Sequence, residues 1–135
     1  MTVLLVDVAN TVGSRPDGWW RDRAGATARL LERLARLPGR ALAGPGGAPV
    51  PVTGVVAVVE GQARDVEAPA GVRVVRAAGS GDDALAAVAA ELADGDDDLL
   101  VVTADRGLRD RLPATARVTG PGWLLAAADE AAPPG

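Results

Sequence analysis

The chain has 135 residues and a net charge of −4, contains no Cys, His, Phe or Tyr, and carries Arg at every one of its 14 basic positions. That length accommodates one domain with a real core and is too short for two ordinary ones. The missing residue types exclude disulfides, thiolate and imidazole metal sites, Ser-His-Asp triads, cysteine nucleophiles and lysine Schiff bases.

Any catalysis therefore rests on carboxylates, arginines and hydroxyls, with a hard metal ion as their natural companion. Charge is unevenly spread. Residues 1–40 hold seven Arg against four acids, and the rest of the chain holds seven against fourteen. A basic front beside an acidic remainder suits an anionic substrate. The chain start lacks the basic segment of a signal peptide, and Asp7 cuts its apolar run short. No run is long enough to span a membrane. The expectation is a soluble cytoplasmic protein.

Thr2 to Val8 is a nearly continuous Val- and Leu-rich run, which fits a strand buried on both faces. Asp7-Val8-Ala9-Asn10-Thr11-Val12-Gly13 follows, then Ser14-Arg15-Pro16-Asp17-Gly18, a loop by composition. Trp19 and Trp20 lead into a helix whose apolar positions Ala24, Thr27, Ala28, Leu31, Leu34 and Ala35 keep helical spacing. Pro38-Gly39 ends it. Residues 38–54 read as a flexible Gly- and Pro-rich loop. Strands are expected at 55–60 and 72–76, a helix from Ser80 to about Asp94, and a strand at 99–103. A short helix at 105–112, a weaker strand at 114–119 and a helix at 123–128 complete the chain, and residues 131–135 read as a disordered tail. Alternation of this kind predicts an α/β fold, a three-layer αβα domain over residues 1–130 with a mainly parallel sheet of about five strands.

Three acids stand at corresponding turns of this pattern. Asp7 ends the run Val3-Leu4-Leu5-Val6, and Asp105 follows Leu99-Leu100-Val101-Val102-Thr103-Ala104. If those runs are neighbouring parallel strands, both acids leave the sheet at one edge, where open α/β sheets place their sites. Ser80-Gly81-Asp82-Asp83-Ala84-Leu85 is a helix start that brings Asp82 to the same edge. Asp82 lies three before Leu85, on the inward face, and is favoured over Asp83, which still has the reach. Each acid also has a plain reading as a cap or turn residue. Converging carboxylates, however, raise one another's pKa or recruit a cation. Oxygen-only ligands select Mg²⁺ or Mn²⁺.

These residues resemble the motifs of the PIN-like nucleases, the NYN branch above all. Val6-Asp7-Val8-Ala9-Asn10 is similar to the opening hydrophobic-Asp-x-x-Asn motif, Ser80 to Leu85 to the middle acidic motif, and Val101 to Leu108 to the Thr-x-Asp motif. The resemblance spans residues 2–128 and implies a PIN-like, Rossmann-like fold and metal-dependent ribonuclease activity. It implies that Asp7, Asp82 and Asp105 ligate Mg²⁺ or Mn²⁺, with Asp83 as the alternative middle acid. Asn10 would orient Asp7 or touch substrate. The family often has a fourth acid, for which Asp22 and Asp110 are the candidates.

Arg15, Arg21 and Arg23 form the expected phosphate-binding fringe, and Arg106 stands ready for a phosphate or for Asp110 one turn on. Trp19 and Trp20 could stack bases or anchor the core. The partner expected is a single-stranded or structured small RNA, with no membrane involved. A homodimer is conceivable because so small a domain leaves a shallow site that a second copy could complete. The alternative reading is an inactive PIN-like domain that binds RNA or a protein. A haloacid-dehalogenase-like phosphatase is disfavoured, because Ala9 stands where its second Asp belongs.

Overall fold

The apolar run after Met1 becomes the middle of a sheet. The structure is a computed structural model and describes residues 1–15 and 18–131. It runs β1 (Thr2–Asp7), α1 (Val8–Gly13), a 3-10 turn (Trp19–Arg21), α2 (Arg23–Leu34), β2 (Ala41–Ala43), β3 (Pro49–Val59), a second 3-10 turn (Gly61–Ala63), β4 (Val72–Arg76), α3 (Gly81–Ala93), β5 (Asp98–Val102), α4 (Arg106–Arg109), β6 (Arg117–Thr119) and α5 (Pro121–Glu130). β1 lies between β3 and β5 and is parallel to both. β6 pairs with β5, and β4 with the second half of β3, again in parallel. The parallel order is therefore β4-β3-β1-β5-β6, and the chain reverses its direction of winding between β1 and β5. The expected α/β class and mainly parallel sheet are what the structure has.

Strand alternation builds two cores. Leu4, Val6, Val55, Ala57, Val59, Leu100 and Val102 face α2 and α5 and meet Leu30, Leu31, Leu34 and Leu124. Leu5, Val56, Val58, Leu99 and Val101 face the other way and meet Leu85, Val88 and Ala89 of α3 and Leu108 of α4. Each fully buried Leu or Val contributes about 1.5–3 kcal/mol by leaving water. A strand so buried needs apolar residues at successive positions, which is why β1 reads as a continuous run.

The structure departs from expectation at four places. Residues 38–54 are an ordered hairpin rather than a flexible loop. β2 runs antiparallel to the start of β3, and the Gly44 N–H donates to the Ala48 carbonyl at 2.9 Å. Leu42 and Val50 bury there, and the Trp123 indole donates to the Ala43 carbonyl at 3.0 Å. Pro49 and Pro51 hid this strand, yet proline is tolerated on a sheet edge. Next, α1 follows directly from Asp7, where no helix is expected. The third difference is at the C-terminus, where Ala131, placed in the expected tail, is only 5 % exposed and closes α5 through Ala127. Residues 132–135, the rest of that tail, and Pro16 and Asp17 of the expected loop lie outside the described residues. Finally, β6 and α4 are shorter than expected and α5 longer, with Pro121 in its first turn. Among the described residues no helix is long and apolar enough to cross a membrane.

Candidate functional site at the carboxyl edge of the sheet

The reversal between β1 and β5 opens a crevice at the carboxyl ends of the strands. Asp7 is the last residue of β1 and caps α1: its Oδ1 accepts the Asn10 N–H at 3.2 Å. Its Oδ2 accepts the Thr103 hydroxyl at 3.0 Å. Thr103 is fully buried just beyond β5, and its oxygen in turn accepts the Asp105 N–H at 3.1 Å. Asp105 caps α4 by accepting the Leu108 N–H at 3.1 Å. The Asn10 side chain crosses the crevice and accepts the Ala104 N–H at 2.8 Å. Two separate turns are thereby stitched together by Thr103 and Asn10.

α3 enters from the α3–α4 face. Its cap, Ser80, accepts the Asp82 N–H at 3.2 Å. The Gly81 N–H donates to Glu60, which stands directly after β3. A Cβ on residue 81 would collide with the Glu60 carboxylate, so glycine permits this close approach. Asp82 then faces Asp105 and Glu60.

The electrostatics register this crowding. Burial raises the Asp7 carboxyl above its ordinary value, and the negative charges of Asp82 and Glu60 add to that rise. The bonds from Asn10 and Thr103 oppose it. Burial also raises Asp82, followed by the charge of Asp105, a hydrogen bond with it that favours the protonated form, and the charge of Glu60, while Arg111 opposes. Asp7, Glu60, Asp82 and Asp105 thus lie together as one acidic group. Among the described residues no group of three or more carboxylates stands close enough to hold a metal ion. In kind, an all-oxygen donor set carrying unbalanced negative charge fits a hard divalent cation.

The other expected residues divide. Asp83 is exposed and pairs with Arg111 at 2.7 Å, so it does not join Asp7 and Asp105. Asp22 caps α2 through the Gly25 N–H, and Asp110 lies at the end of α4; neither reaches the acidic group. The fourth acid at the site is Glu60. The signal for it was the same one that marked Asp7, a carboxylate directly ending a Val-rich run. Arg106 is exposed beside Asp105 and forms no ion pair with Asp110 or any other described residue. Arg15 instead reaches Asp129 of α5 at 3.5 Å. Arg21 and Arg23 lie over the Trp20 and Trp19 rings at 6.0 and 5.1 Å. Trp20 is 57 % exposed, while Trp19 packs near Gly13. An open groove of about 390 Å³ runs past Asn10, Ser14, Ala104 and Pro121, next to the stitched turns.

Neither a protein-family model nor a curated protein matches the sequence. The structure, in contrast, is similar to that of Rae1 (YacP) from Bacillus subtilis, with a TM-score of 0.73 at 17 % identity over 97 % of this chain and 75 % of that one. A Trp-to-Leu mutant of the same protein gives a TM-score of 0.69 at 19 % identity, over 97 % and 77 % of the two chains. At such identity the likeness establishes the fold.

Proposed function

We propose that this chain is a metal-dependent ribonuclease of the PIN-like, NYN type. The observation that carries the reading is the convergence of Asp7, Glu60, Asp82 and Asp105 from four separate chain segments at the winding reversal, with Asp7 and Asp82 both raised in pKa by burial and by one another's neighbours. Groups perturbed in this way cluster at functional sites. The three motifs and the structural likeness to Rae1 (YacP) support it.

Asp7, Asp82 and Asp105 would hold Mg²⁺ or Mn²⁺, with Glu60 directly beside them. A divalent ion held there would polarise a phosphoryl oxygen and lower the pKa of an attacking water. The chain's own residues supply the remaining work. Thr103 and Asn10 fix the orientation of Asp7 and the position of the Asp105 turn. Arg106, exposed and free of an ion pair among the described residues, would take a phosphate through its planar fork. The exposed Trp20 offers a face on which a base of a single strand can stack. The groove past Asn10 and Ala104 gives the strand a path beside the acids.

One observation favours a second reading. The carboxylates do not close into a cage, and an inactive PIN-like domain that binds RNA or a protein would share that openness. Incubation of single-stranded and structured RNAs with the protein and Mn²⁺ separates the two. Cleavage that disappears with EDTA and in Asp7→Asn supports the nuclease. Folded protein that cleaves none of the RNAs, and gains no thermal stability from Mn²⁺, defeats it.

A further inference from the structure

On the opposite face of the sheet from α3, the helices α1, α2 and α5 enclose a pocket of about 180 Å³. None of its lining residues belongs to the acidic group. Its floor includes Leu30 and Leu125, and its wall carries Arg15, Arg29 and Arg33. Arg33 and Arg15 both pair with Asp129, and Arg33 also donates to the Leu125 carbonyl at 3.4 Å. Arg29 is exposed and has no ion pair among the described residues. Two of the three guanidinium groups therefore share one carboxylate, and that carboxylate is itself 63 % exposed. Thr11 lines the same pocket, is fully buried, and its hydroxyl has no hydrogen-bond partner among the described residues. Unpaired buried hydroxyls are rare because they forgo solvation without return.

A cationic wall over an apolar floor suits a ligand with both an anion and a flat apolar body. Arginine forks match phosphate oxygens in pairs. The space is below the roughly 300–1,000 Å³ of a drug-sized pocket, which limits it to a small ligand. We propose that this pocket binds one nucleotide unit, its phosphate on Arg15, Arg29 and Arg33 and its base against Leu30 and Leu125. In the free protein Asp129 pairs with two of these arginines, Arg15 and Arg33, and so competes with an incoming anion for them. The unit is either a free mononucleotide or the phosphorylated end of a strand. This assignment does not rest on the nuclease reading.

Calorimetric titration in EDTA tests it without engaging the acidic site. AMP is expected to bind at least tenfold more tightly than adenosine or inorganic phosphate. Arg29→Gln should weaken AMP at least fivefold, and Asp129→Asn should tighten it. Both positions are exposed, so the fold should survive, and circular dichroism verifies this. Asp7→Asn should leave AMP binding unchanged, which keeps the pocket distinct from the acidic group. A 5′-phosphorylated oligoadenylate that outbinds both AMP and its 5′-hydroxyl counterpart identifies a strand end; otherwise the ligand is the free nucleotide. Absence of AMP binding at millimolar concentration overturns the proposal, as does equal binding of AMP and either fragment, or indifference to both pocket substitutions.

Discussion

The Thr103 hydroxyl donates to Asp7 at 3.0 Å while accepting the Asp105 N–H at 3.1 Å, so one buried side chain holds two acids of the site in register. Valine at position 103 matches threonine in shape and removes both bonds. Thr103→Val should cost about 1–3 kcal/mol of stability, the range for a lost bond to a charged group or an unsatisfied buried one. Asp7 should also titrate higher than in the parent, since a donor that lowers its pKa is gone. Urea denaturation reads the first effect and carboxyl NMR the second. Parent-like values in both would show that Thr103 merely fills space.

Glu60 and Gly81 permit a test of the fourth acid by a substitution that removes no carboxylate from the chain. Gly81→Ala puts a Cβ where the Glu60 carboxylate lies and should displace it. The φ of Gly81 is not positive, so alanine is compatible with that backbone and stability should change little. If RNA cleavage is observed, it should fall by about 10–100-fold in both Gly81→Ala and Glu60→Gln, as for residues that orient a metal site. Undiminished cleavage in the pair would make Glu60 a helix cap and nothing more.

Metal binding should appear as stability before any substrate is added. A ligand that binds only the folded state adds about 1.4 kcal/mol at ten times its dissociation constant. Mn²⁺ should therefore raise the melting temperature of the parent and leave Asp105→Asn unmoved. Asp83→Asn should behave like the parent, because Asp83 pairs with Arg111 and stands apart from the group. A scan that gives the same shift in all three proteins would count against the assigned ligands.

The raised carboxyls set the pH dependence. Asp7 and Asp82 hold their protons more tightly when folded than at the ordinary value of 3.8. The folded state thus binds more protons than the unfolded one just above that value. Their contribution to stability is present below it and is lost as pH rises through the raised folded values. Without metal, Asp82→Asn should melt higher than the parent at pH 7, by an amount that solvent screening at this part-exposed position keeps small. That advantage should shrink as pH falls through the raised folded value of Asp82 and be gone below 3.8. An advantage independent of pH would place its cause outside the charge.

The sequence alone was enough to find β1, β4, α3 and β5, because strands buried on both faces must be apolar throughout and helices must keep their period. It also placed Asp7 and Asp105 at the ends of such strands, since a carboxylate that ends a buried run is conspicuous. Tertiary structure decided what depends on partners far away in the chain. The β2–β3 hairpin needed an edge position that tolerates Pro49 and Pro51, together with Trp123 to hold Ala43. The pairing of Asp83 with Arg111, which lies 28 residues away in the chain, was likewise a matter of packing. Glu60 joined the group only because β3 lies beside β1 and α3 begins above it, and Arg15 was drawn instead to Asp129. Local physics marks which residues end an element, but only the packing of elements decides which of those ends meet.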